Sequence, residues 1–139
     1  MGADLYITKM DRRLQVRGFE VSQGAVDAGY FRDAYNSYGL FAVMSQVLSK
    51  ELSWWQTAKR KELFNKQNNM TVDGVKKWAA EIIPLIDEFQ KVEKISVKTG
   101  KGIVNYAPDE TQAVKEHALL LKRFLELAIA KKSTIIFSV

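Results

Sequence analysis

Between Val75 and Val92 the apolar residues Val75, Trp78, Ala79, Ile82, Leu85, Ile86, Phe89 and Val92 recur at the spacing of one helix face. That period of about 3.6 residues requires a long amphipathic helix, with something apolar for it to lie against. Thr71 is a good N-cap for it, and Asp73 falls in the first turn, where the helix dipole favours an acid. Pro84 sits inside the period and lacks an amide proton, so it is expected to kink or split the helix. A second stripe, Val114, Ala118, Leu121, Leu125 and Ala128, widened by Phe124 and Ile129, supplies the packing partner. Pro108, or an Asp109 to Gln112 capping box, starts that helix, and Lys131-Lys132 closes it.

The two ends of the chain read differently. Residues 3–8 alternate, with Leu5 and Ile7 on one face, and residues 133–139 (STIIFSV) are β-branched and aromatic. Both are expected strands that pair and pin the ends over a helical core. Leu14 to Arg17 alternates again after a charged turn at Lys9 to Arg13, which suggests a hairpin with the first strand. Ser22-Gln23-Gly24 reads as a loop. From Tyr35 a helical stripe runs through Leu40, Met44, Val47 and Leu48, flanked by Phe41 and Leu52, with Gly39 near its start. Ser53 to Gln56 fits a capping box, so a break near Leu52 and a second helix to about Lys66 are expected. Residues 96–105 read as a loop in which Gly100-Lys101-Gly102 could form a hairpin tip. The sum is one α+β domain over 1–139, mostly α, with about four helices in a compact bundle and a small sheet from the N- and C-terminal strands.

Composition excludes several functions. The 139 residues contain no cysteine, which removes disulfides, thiolate metal sites and cysteine nucleophiles, and fits a cytoplasmic protein. No stretch approaches the roughly 20 apolar residues of a membrane span, so no membrane partner is expected. The N-terminus lacks the basic and apolar regions of a secretory signal, and Thr8 is misplaced for myristoylation. The single histidine, His117, precludes a two-histidine metal motif within one chain and reads as a helix-flank residue. Thr99-Gly100-Lys101-Gly102 lacks the Ser or Thr that a P-loop needs after its lysine. The sequence implies no cofactor and no metal, and leans away from an enzyme.

The net charge of +5 is spread evenly, +3 in residues 1–70 and +2 in residues 71–139. Such a balance permits a polyanion partner without requiring one. The basic cluster Lys59-Arg60-Lys61 follows Trp54-Trp55, an arrangement that would serve phosphate contact and base stacking. It would serve a solvated helix face equally well. The acids Asp4, Asp11, Asp33, Asp87, Glu88, Asp109 and Glu110 could converge on a divalent ion, but their spacing does not demand it.

The densest chemistry lies in Gly29-Tyr30-Phe31-Arg32-Asp33-Ala34-Tyr35-Asn36 and in Ser53-Trp54-Trp55. Aromatics joined to an Arg, an Asp and an amide make either a hydrogen-bonded corner or a binding site. In the first reading Asp33 accepts amides of the following turn and Arg32 pairs with a nearby acid. In the second, Arg32 and Asn36 hold an anionic or amide-bearing ligand. Adjacent helix residues point about 100° apart, so one tryptophan is expected in the core and the other at a boundary. Trp55 is the expected core member, because it continues the stripe of Met44, Leu48 and Leu52.

Met1-Gly2-Ala3-Asp4-Leu5-Tyr6-Ile7, Gly29 to Asn36 and Leu52-Ser53-Trp54-Trp55, in that order, resemble a family of uncharacterised small proteins of bacteria and their phages. The family pattern has GADLYI, GYFRDSYN, LSWW and a final Leu-Leu-Arg-rich helix running into a short strand. The chain departs from it at Ala34, where Ser is usual, in a shorter stretch between Thr8 and Tyr30, and in its final Val. The resemblance implies no activity; a phage setting would favour a small partner-binding protein. The leading expectation is therefore a protein-interaction module presenting Tyr30, Arg32, Asp33, Tyr35, Asn36, Trp54 and Trp55. A nucleic-acid-associated protein using Lys59, Arg60 and Lys61 comes second. A metal-dependent enzyme using Asp4 and Asp33 comes third.

Overall fold

A computed structural model of the chain describes residues 2–10 and 21–139. Strand β1 (Gly2–Ile7) is followed by α1 (Gln23–Asp27), β2 (Tyr30–Ala34), α2 (Leu40–Leu48) and α3 (Trp54–Ala58). A 3-10 turn (Lys61–Leu63) and the two-residue strand β3 (Asn69–Met70) lead into α4 (Val72–Phe89). The hairpin β4 (Ser96–Thr99) and β5 (Gly102–Asn105), helix α5 (Pro108–Ala130) and strand β6 (Ile135–Ser138) complete the order.

The terminal strands do pair. Strand β1 runs antiparallel to β6, with Leu5 opposite Phe137 and Ile7 opposite Ile135. The sheet is larger than those two strands, however, because its order is β2-β1-β6-β3 and every pairing is antiparallel. Ala3, Leu5 and Ile7 of β1, Phe31 of β2, Met70 of β3 and Ile135 and Phe137 of β6 are all buried, which defines the core face. The two long helices lie along each other and bury Val75, Trp78, Ile82, Ile86 and Phe89 from α4, with Ala118, Leu121, Phe124 and Leu125 from α5. Both helical stripes are therefore where the periodicity puts them. These side chains form one contiguous core with the sheet.

The expected four-helix bundle becomes five α-helices around a four-stranded sheet and a separate two-stranded hairpin among the described residues. Four local differences, with the unexpected two-residue strand β3, account for this. Ser22 is an N-cap rather than part of a loop: its hydroxyl accepts from the Ala25 amide at 3.1 Å and starts α1. The segment before Asn36 is a strand, and its helix begins only at Leu40. The helix expected to reach Lys66 ends at Ala58, and residues 96–105, read as a loop with a possible hairpin tip, form two paired strands around that tip. The hairpin expected at Leu14 to Arg17 lies outside the described residues.

Helix α4 passes Pro84 without being split. Pro84 is on the exposed face, where water can serve the carbonyl that its ring leaves without a donor. Thr71 caps the helix by accepting from the Gly74 amide at 2.9 Å. Gly74 is fixed by crowding: a Cβ there would sit 2.2 Å from the Leu63 carbonyl oxygen.

Candidate functional site

Asp33 organises the aromatic region. It is 2% exposed at the end of β2, and its carboxylate accepts four hydrogen bonds. One oxygen takes the amides of Ala34 at 2.9 Å and Leu40 at 2.7 Å. The other takes the Phe41 amide at 3.1 Å and the Trp54 indole N–H at 2.7 Å. An ionised carboxyl offers about four lone-pair sites, so its capacity is filled. Two of the donors are the first amides of α2, whose own N-cap, Gly39, has no side chain. Asp33 thus caps α2 from a neighbouring strand, and the helix N-terminus supplies a favourable field for the buried charge. Gly39 cannot be replaced cheaply, since a Cβ would lie 2.1 Å from the Ala34 carbonyl oxygen. Asn36 completes the turn: its side-chain oxygen accepts from the Tyr38 amide at 3.0 Å, and its carbonyl accepts from Gly39 at 3.0 Å.

The tryptophan assignment reverses. Trp54 is buried at 4% exposure, whereas Trp55 is 61% exposed. Ser49 adopts a left-handed conformation at φ 52°, and the chain leaves helix until Ser53 caps α3. The stripe of α2 therefore does not carry its phase across the break. Trp54 lies flat on Phe41, with ring centres 3.8 Å apart and planes 5° from parallel, and meets Trp78 edge-on at 5.9 Å. Burying an indole requires a partner for its N–H, and Asp33 provides it.

Trp55 and Tyr35, 41% exposed, stand at a cleft of about 270 Å³ whose other lining residues include Phe41, Ala42, Leu52 and Trp54. Burial, and then the charges of Asp4 and Asp33, raise the Tyr35 hydroxyl above its ordinary pKa. It is a neutral donor at physiological pH. Sequence reasoning missed Ala42 and Leu52 as cleft residues: Leu52 read as a stripe flank at a helix break, and Ala42 carried no signal.

Tyr30 and Arg32 belong elsewhere. Strand alternation turns Arg32 away from Asp33, toward Asp4, which lies directly opposite it in the register. The Arg32 guanidinium is 3.8 Å from the Asp4 carboxylate, and the Tyr30 hydroxyl donates to the same carboxylate. Burial, reinforced by the Asp4 hydrogen bond and charge, pushes the Tyr30 phenol well above its usual pKa. The Tyr30 ring also packs on Tyr6 at 5.1 Å. The described structure therefore gathers Tyr35, Trp54 and Trp55 at one cleft, uses Asp33 and Asn36 to build it, and sets Tyr30 and Arg32 with Asp4.

His117 of α5 donates from Nε2 to the Arg32 carbonyl, 2.8 Å away, and stacks on Phe31 at 5.1 Å. Because Nε2 meets a carbonyl, that nitrogen carries the proton. Lys59, Arg60 and Lys61 do not share a helix with the tryptophans: Lys59 is the C-cap of α3 and Lys61 opens the 3-10 turn. The Arg60 guanidinium forks onto Glu81 and donates from Nε to Glu62 at 3.0 Å, which raises its pKa further. The carboxylates are also dispersed: Asp87 pairs with Lys122 at 2.7 Å, and Glu110 accepts the Ala107 amide at 2.9 Å. Asp11 lies outside the described residues. Among those described, no three His, Asp or Glu residues are placed to share a metal ion. No described helix is long and apolar enough to cross a membrane.

The fold and cleft define a small α+β protein with an aromatic rim on a rigid, carboxylate-locked floor. No family model, curated protein or solved structure matches the chain.

Proposed function

We propose that the protein is a non-enzymatic interaction module that receives an apolar side chain of another protein between Tyr35 and Trp55. The observation that carries this reading is the contrast between the paired tryptophans. Trp54 is locked by Asp33, Phe41 and Trp78, while its neighbour exposes 61% of its surface beside the cleft. A rigid floor lowers the ordering cost of binding, and an exposed indole supplies a large contact at little conformational cost. The Tyr35 hydroxyl would add a directional hydrogen bond to the partner's backbone.

The test is a quantitative affinity capture from the native host, run with the parent chain, Trp55→Ala and Tyr35→Ala. Both variants should melt within about 0.5 kcal/mol of the parent, as exposed positions do. Each should weaken capture of the same protein by about 2 kcal/mol, the scale of an interface hot spot. Capture unchanged in both variants would refute the reading. As a control, Trp54→Ala should lose about 3–5 kcal/mol of stability.

A further inference from the structure

Exposed strand edges invite pairing with other strands, and proteins usually blunt them. Three of the four edges described here are blunted. On β2, His117 takes the Arg32 carbonyl. Strand β3 has only two residues, and the Asn65 side chain accepts its Asn69 amide at 3.0 Å. On β4, the Gln46 side chain imitates a neighbouring strand: it accepts from the Lys98 amide at 2.7 Å and donates to the Lys98 carbonyl at 3.1 Å.

Strand β5 has no such cover among the described residues. The Lys98 backbone is turned toward Gln46, so its opposite, Ile103, forms a pair that does not exchange backbone bonds across the hairpin. By alternation, Val104 and Gly102 bond to β4, while the N–H and C=O of Ile103 and Asn105 point outward. The Tyr106 amide bonding to the Ile95 carbonyl at 2.9 Å continues the same phase. The strand Gly-Ile-Val-Asn carries no charge and no proline, and Ile103 is 66% exposed.

We propose that the β5 edge is a self-association surface, on which a second copy of this chain pairs antiparallel about a two-fold axis through Val104. That register sets Ile103 opposite Asn105 of the second copy and Asn105 opposite its Ile103, so the four outward groups on each strand satisfy one another. The two Val104 side chains meet on the axis as a closely spaced non-hydrogen-bonded pair and finish burying a residue that is only half-buried in one copy. The charges agree: Lys101 faces Ala107 of the second copy, next to the acidic first turn of its α5 at Asp109 and Glu110. The edge is thus self-complementary, as a two-fold interface must be. The two hairpins become one four-stranded sheet, β4-β5-β5-β4.

Sedimentation equilibrium of the intact chain, from about 10 µM to 1 mM, tests the idea across the range expected for a small interface. The expected result is a reversible monomer–dimer equilibrium. Ile103→Pro removes one outward donor at an edge position that tolerates proline, and should weaken dimerisation by about tenfold or more. Lys101→Glu should also weaken it, and the Lys101→Glu, Asp109→Lys double variant should recover it. A parent chain that stays monomeric throughout overturns the proposal, as does an Ile103→Pro variant that melts and dimerises like the parent. If Ile103→Pro does not fold, the charge pair decides: dimerisation unmoved by Lys101→Glu, or not recovered in the double variant, overturns it equally.

Discussion

One buried carboxylate joins three parts of the molecule that are remote in sequence. Asp33 ends β2, caps α2 and holds the indole of α3. Asp33→Ala would strand the Leu40, Phe41 and Trp54 donors, and each buried donor left without a partner costs about 1–3 kcal/mol. Asp33→Asn is the more informative change, because it keeps size and one carbonyl oxygen. Its NH2 must face one of the two donor pairs, Ala34 and Leu40 or Phe41 and Trp54, so Asn should not be benign. A loss of about 2 kcal/mol or more in chemical denaturation is expected. A fully stable Asn variant would mean the second oxygen contributes little. Capping by Asp33 was one of two readings the sequence left open; its indole partner was in neither, since Trp54 lies 21 residues away.

At the scale of elements, the long helices were legible because their stripes outlast any local ambiguity. The short terminal strands were legible too, but several short internal elements were not. In β2, Tyr30 and Phe31 are both buried, which erases the alternation that would mark a strand. In the β4–β5 hairpin the tip at Gly100 to Gly102 was legible, but only Val97 is buried, so its strands carry too few apolar positions to be read. The tryptophan reversal has the same root, because a helix phase cannot be carried through Ser49, where the backbone turns left-handed. Pro84 offers a clean test of α4. The helix continues past it on an exposed face, so Pro84→Ala restores a helical amide with no packing to disturb. It should raise stability, by up to about 3 kcal/mol on the helix-interior scale, read as a higher melting temperature. An unchanged or lower melting temperature would show that the ring makes contacts that offset the missing bond.

Across the whole molecule, the sheet depends on the last residues of the chain. Strand β6 is not an edge but lies between β1 and β3, and its Phe137 packs against Trp54, Phe64 and Trp78. Deleting Ser133 to Val139 should therefore abolish cooperative unfolding rather than trim stability, since it removes a central strand and uncovers the aromatic cluster. A truncated chain with a sharp melting transition near that of the parent would contradict this.

The same placement sets the order of events during synthesis. Strands β1 and β2 can meet once about a quarter of the chain exists, but β1 has no second neighbour, and β3 no sheet to join, until Ile135 to Ser138 have cleared the ribosome. Loop closure over such a separation is slow compared with local helix formation. The helices α4 and α5 are made before their apolar stripes have a complete sheet to cover. On a growing chain the apolar stripes of α4 and α5 therefore precede the strand that completes the sheet they cover.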